Sequence, residues 1–130
     1  NYVSNVNQKK IVRNWISCQF SYNLIKKGWM PPHPTLYLKK DVYKKHGDFK
    51  LEYKVSSDYD FILRIFKDRS LSFKYLNKKL VDMKTGGNSN RSLNNIIIKL
   101  NEDYKIIKSN NIGNIVTLFL KNITKIRQFY

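Results

Sequence analysis

Apolar and polar positions follow two periods along this chain, and the change from one to the other divides it. Up to about residue 90 the runs are short. "NYVSNVN" (1–7) and "KIVRNWI" (10–16) carry β-branched and aromatic residues on either side of a turn-prone "NQ", which predicts a hairpin. "TLYL" (35–38), "LSFKYL" (71–76) and "KLVDMK" (79–84) read as further strands. Short helices interleave with them. "SYNLIKKG" opens at Ser21 and stops at Gly28, and "VYKKH" takes Asp41 as its cap and Gly47 as its stop. From Asp58 to Lys67, Phe61, Ile62, Ile65 and Phe66 share one helical face.

Beyond "TGGNSN" the period becomes that of long helices. Residues 91–109 place Leu93, Ile96, Ile97, Leu100, Tyr104 and Ile107 on one stripe. Residues 112–127 do the same with Ile115, Val116, Phe119, Leu120, Ile123 and Ile126, and "SNNIG" breaks the pair. The pattern therefore predicts an α/β or α+β part over 1–90 and an amphipathic helical extension over 91–130. The two stripes are expected to pack onto the preceding part. Their flanking lysines make contact with an anionic membrane surface the alternative.

Composition changes this picture little. An apolar share of 42% over 130 residues, with nine Tyr and seven Phe, is enough for a core and excludes a disordered tail. The net charge of +16 comes from twenty Lys and five Arg, scattered as pairs such as Lys9-Lys10 and Lys78-Lys79. Abundant Lys, Asn and Ile match the bias of an AT-rich genome, so the charge is a weak guide to partners. Physically it still favours anionic lipid, phosphate and nucleic acid at low salt. A single cysteine, Cys18, excludes an intrachain disulfide and a multi-Cys zinc site. Apolar runs fall far short of the roughly 20 residues that cross a bilayer, and the start lacks a signal-peptide core. A cytoplasmic setting is expected, with peripheral contact at the inner face of the plasma membrane as an option. The opening residues, in strand-like alternation without an initiator Met, read as those of a fragment.

Three stretches have residue types suited to chemistry. In "SSDYD", Ser57 suits an N-cap, with Asp60 three residues on as in a capping box and in reach of Arg64 one turn later. Asp58 is the acid that this capping does not need. A carboxylate in a first helical turn is held ionised by backbone N–H groups and the helix dipole, which suits a general base. In "GWMPPHPT", three prolines stiffen a loop bearing Trp29 and His33, an ordinary turn or a wall for a saccharide. In "KTGGNSN", Lys84 and Ser89 flank Gly86 and Gly87, which is plain turn chemistry or a phosphate cradle.

Taken in order, "GWMPPHPTLYLKKDVYKKHGDF", "SSDYDFILRIF" and "KYLNKKLVDMKTGGNS" resemble the C-terminal half of family 2 glycosyltransferases, the bacterial group that builds surface polysaccharides of the cell envelope. The resemblance covers most of residues 1–90. It implies an α/β class, the C-terminal part of the Rossmann-like GT-A fold of nucleotide-diphospho-sugar transferases, with a mixed sheet followed by the helical pair. It further implies an inverting hexosyltransferase that moves a sugar from a nucleotide-sugar donor to a hydroxyl of a saccharide or lipid-linked acceptor. In such enzymes a divalent cation, Mg or Mn, is held by an Asp-x-Asp motif of the N-terminal half, so its ligands are not expected in this chain. The fragment is expected to be inactive alone.

By the same resemblance Asp58 is the catalytic base, and Ser57 stands where the family usually has Glu. Trp29, His33, Thr35, Ser57, Lys84, Gly86 and Gly87 are the implied substrate-binding residues, and no metal ligand carries over. The competing reading is a basic module that binds nucleic acid or a membrane surface without catalysis. Scarce Arg, core-like spacing of the aromatics and the lack of a nucleic-acid motif count against specific nucleic-acid binding.

Overall fold

Helices rather than strands hold this chain together. The computed structural model describes residues 2–3, 11–84 and 92–128. The elements run in the order β1 (Tyr2–Val3), β2 (Ile11–Arg13), α1 (Tyr22–Lys26), a 3₁₀ turn (His33–Thr35), α2 (Lys40–His46), α3 (Ser57–Phe66), β3 (Met83–Lys84), α4 (Leu93–Ser109) and α5 (Ile115–Ile126).

α3 is the central helix. Its residues from Tyr59 to Phe66 are buried except Arg64, as expected of a helix enclosed on nearly all sides. Ile25 of α1, Ile106 and Ile107 of α4, Ile112 and Leu118 complete the buried cluster. Phe66 stacks on Phe73 at 4.2 Å between ring centres, with Phe20 edge-on to both. On the α2 side, Phe61 lies against Tyr43 and Phe49.

The expected GT-A half-domain with its mixed sheet is not what the chain adopts. Among the described residues helix far outweighs strand, and the strand pairing is confined to β1 between antiparallel β2 and parallel β3. The β1–β2 pair lies within the predicted hairpin. "TLYL" begins in the 3₁₀ turn and continues extended but unpaired, "LSFKYL" is likewise unpaired, and only Met83–Lys84 of "KLVDMK" joins a strand. The physical reason is that, among the described residues, no strand edge is paired with them. A β-prone run becomes a strand only where another edge takes up its N–H and C=O groups.

The helix ends refine the expected caps. Lys39, not Asp41, occupies the N-cap position of α2, and Asp41 instead pairs with Lys44 on the exposed surface. Ser92 and Asn114 cap α4 and α5 by accepting from the N–H groups of Asn95 and Val116. Between these helices Asn111 takes a positive φ of 54°. Ile112 N–H then bonds to Ile107 O and Asn111 N–H to Lys108 O, which is the Schellman arrangement. At the other side of α5, Gly28 has φ of 77°, and a Cβ there would stand 2.6 Å from Thr117 O and from Lys121 Cβ. Gly28 thus both ends α1 and lets α5 approach, while Thr117 Oγ1 donates to Lys26 O.

The helical pair leaves most of its expected apolar stripes outside. α4 buries Glu102, Asp103, Ile106 and Ile107, and α5 buries Thr117 and Leu118. Of the predicted α4 stripe only Ile107 is inside; Leu93, Ile96, Ile97, Leu100 and Tyr104 are exposed, as are Ile115, Val116, Phe119 and Ile126 on α5, where Leu120 and Ile123 are half-buried. Polar side chains share the inner face with Ile106, Ile107 and Leu118 because three polar demands lie beneath it: the loop before α3, the buried Asp60 and the end of α1.

Candidate functional site

The loop 54–56 leads into α3 and leaves its N–H groups without helical partners. Glu102 of α4 satisfies them, its carboxylate accepting from Lys54, Val55 and Ser56 at 2.8, 3.0 and 2.9 Å. It anchors the approach to the helix, while within the first turn the Tyr59 N–H donates to Asp58 Oδ1. Ser57 is the first helical residue rather than the cap, and Ser56 holds the cap position without a side-chain bond.

The two aspartates of "SSDYD" have different surroundings. Asp60 is fully buried. Its Oδ2 accepts from Arg64 Nε at 2.8 Å and its Oδ1 from Asn110 Nδ2 at 3.2 Å. Arg64 also donates to the carbonyls of His46 and Asp48, so Asp60 ties α3 to the end of α2 and to the end of α4. Asp58 is half-buried at the first turn, with Oδ1 accepting from Tyr59 N–H at 2.8 Å.

Beside Asp58 lies a buried charge cluster. Asp103 Oδ2 accepts from Lys99 at 2.6 Å and from Lys121 at 2.7 Å, while Lys121 Nζ stands 3.2 Å from the centre of the Tyr59 ring. Two ammonium groups on one carboxylate leave an excess of positive charge out of water. Burial pushes Lys121 down to about 7, with Lys99 adding to the effect and Asp103 and Asp58 opposing it. Burial likewise lowers Lys125, with help from Lys99 and Arg13. Burial acts to raise Asp103, but Lys121 and Lys99 outweigh it and hold the acid below its usual range. Tyr59 is raised by burial and then by the Asp103 charge. Ser56 Oγ, Tyr59 OH and Asp103 Oδ1 are buried with no hydrogen-bond partner among the described residues, so this junction keeps a polar interior despite the cost.

The other implied site residues lie elsewhere. An open cleft of about 1010 Å³ is lined by Trp29 and Thr35 together with the prolines of their loop and the extended segment 70–81. The Trp29 ring is half-buried, stacked near Phe20 and edge-on to Phe66 at 5.7 Å, so much of it is committed to packing. Thr35 Oγ1 donates to Pro32 O. His33 opens the 3₁₀ turn with its ring edge-on to Phe49 at 5.5 Å. Lys84 is exposed in β3, paired alongside Val3. His33, Ser57, Asp58 and Lys84 do not line the cleft, and Gly86 and Gly87 lie outside the described residues. The structure therefore brings Trp29 and Thr35 onto one wall and sets Asp58 apart, against α4 and α5.

Glu102, Asp103, Lys99 and Lys121 are the residues that sequence reasoning missed. The available signal was that Glu102 and Asp103 are the only acids between 92 and 128, with Lys99 one turn before Asp103. Among the described residues no group of three or more His, Cys, Asp or Glu side chains is placed to hold a metal ion. The acids here are engaged by lysines, arginine and backbone N–H groups, and do not fit the divalent cation of the resembled enzymes. Comparison of the chain with protein families, with characterised proteins and with solved structures yields no match.

Proposed function

We propose that this chain is the acceptor-side portion of an inverting glycosyltransferase in which Asp58 is the general base. The observation that carries the reading is the division between the two aspartates. Asp60 is sealed in a structural network, whereas Asp58 is half-buried at a helix start and, among the described residues, its hydrogen bond is to the adjacent backbone N–H alone. The order of the three motifs supplies the reaction class.

In this reading Asp58 accepts the proton of an acceptor hydroxyl while that oxygen forms a bond to the anomeric carbon of the donor sugar. The bond from that carbon to the nucleoside diphosphate breaks on the opposite face, so the configuration inverts. A hydroxyl is too weak an acid to ionise first, and the base acts in concert with attack. Such a base contributes about 10²- to 10⁴-fold.

The test is transfer by the complete reading frame that contains these residues, with Asp58→Asn. Turnover is expected to fall by roughly 10²-fold or more, with donor binding unchanged. Wild-type turnover in the variant would remove Asp58 from the chemistry.

A further inference from the structure

α4 and α5 bury Ile106, Ile107 and Leu118 but present a second set of large apolar side chains outward. Leu93, Ile97 and Phe119 are 80%, 57% and 64% exposed, while the charged residues Glu102, Asp103 and Lys121 point inward. A soluble helix ordinarily buries such a stripe, and several adjoining large apolar side chains mark an interaction surface.

The charges select the occupant. Residues 92–128 contain two acids, and both are internal: Glu102 binds the loop before α3, and Asp103 holds two lysines. Every exposed charge on the pair is therefore positive. Lys105 and Lys108 border the α4 stripe, and Arg127 closes α5. A second copy would bring the same cationic border and a further net charge of +16. Apolar side chains edged by Lys and Arg instead match the layered chemistry of acyl chains beneath anionic headgroups. Among the described residues no helix is long and apolar enough to cross a membrane, so the contact lies in the plane of the interface.

We propose that the outward faces of α4 and α5 dock the chain on an anionic lipid surface. This stands independently of the sugar-transfer reading.

The test is flotation of the intact chain with vesicles of phosphatidylcholine containing phosphatidylglycerol, and with vesicles of phosphatidylcholine alone. Binding is expected to the anionic vesicles and to weaken as salt rises. Phe119→Glu and Ile97→Glu are expected to lower partitioning by roughly tenfold each while leaving the thermal midpoint unchanged, since both side chains face solvent. The double variant Lys105→Gln, Lys108→Gln is expected to lose on the order of tenfold. Absence of binding to anionic vesicles would overturn the proposal, as would equal binding by the Phe119→Glu chain. Self-association that Phe119→Glu abolishes, without vesicle binding, would assign the face to a second copy instead.

Discussion

Lys121 of α5 lies over the ring of Tyr59 of α3, with its Nζ 3.2 Å from the ring centre. The same nitrogen binds Asp103 Oδ2 at 2.7 Å, so one side chain joins the three helices that meet beside Asp58. Because Lys99 already serves that carboxylate, Lys121 is the surplus cation of the cluster.

Stability should therefore depend on pH through Lys121. Its folded-state value is pushed down to about 7, below the ordinary lysine value that applies once the chain unfolds. Between about pH 7 and the ordinary lysine range of about 10.4 the unfolded chain binds more protons, so this contribution rises with pH and is lost as pH falls toward 7. Thermal midpoints from pH 7 to 9 are expected to climb relative to Lys121→Met, and parallel curves would contradict the assignment.

Removing the acid of the cluster is expected to be far worse than removing the surplus lysine. Asp103→Asn leaves the largely buried Lys99 ammonium without its countercharge and drives Lys121 further toward the neutral amine, a loss of about 3–5 kcal/mol. Lys121→Met leaves one lysine on one carboxylate and should cost about 1 kcal/mol or less, since replacing a buried charge by an apolar group of similar size is often neutral. Urea denaturation of the two variants compares them directly.

Glu102 fastens the loop that leads into α3 to α4 through three backbone N–H groups. Glu102→Ala should destabilise the chain by about 2–4 kcal/mol, because three backbone donors lose a charged acceptor at once. A loss below about 1 kcal/mol would show that solvent serves these N–H groups equally well.

Asn111 holds the left-handed position between α4 and α5. Glycine adopts that geometry without strain, so Asn111→Gly should leave stability unchanged or raise it by up to about 1 kcal/mol, whereas Asn111→Val should lower it by about 1–2 kcal/mol. Thermal denaturation reads both, and a stabilising valine would contradict the turn geometry.

The helices were legible because their signals are local. Gly28 and Gly47 mark real helix ends, the Phe61–Phe66 face lies in the core, and "SNNIG" is the break between α4 and α5. The sheet was not legible, since "LSFKYL" has strand residues but no partner edge among the described residues, and pairing is decided by what lies alongside. Nor was the orientation of the helical pair. A stripe such as Leu93, Ile97 and Leu100 shows that a helix is two-faced, while the demands of the loop before α3, of Asp60 and of Lys26 O determine which face turns inward. For the candidate site, the pairing of Asp60 with Arg64 followed from their spacing. The proximity of Asp58 to Lys121 did not, because 63 positions separate them in sequence.

The central claim is the separation of one structural aspartate from one reactive aspartate, and turnover of the complete reading frame with Asp58→Asn tests it most directly. The expected result is a fall of roughly 10²-fold or more in sugar transfer at an unchanged thermal midpoint. Wild-type turnover, or a loss of activity that merely follows a loss of folding, would contradict the account.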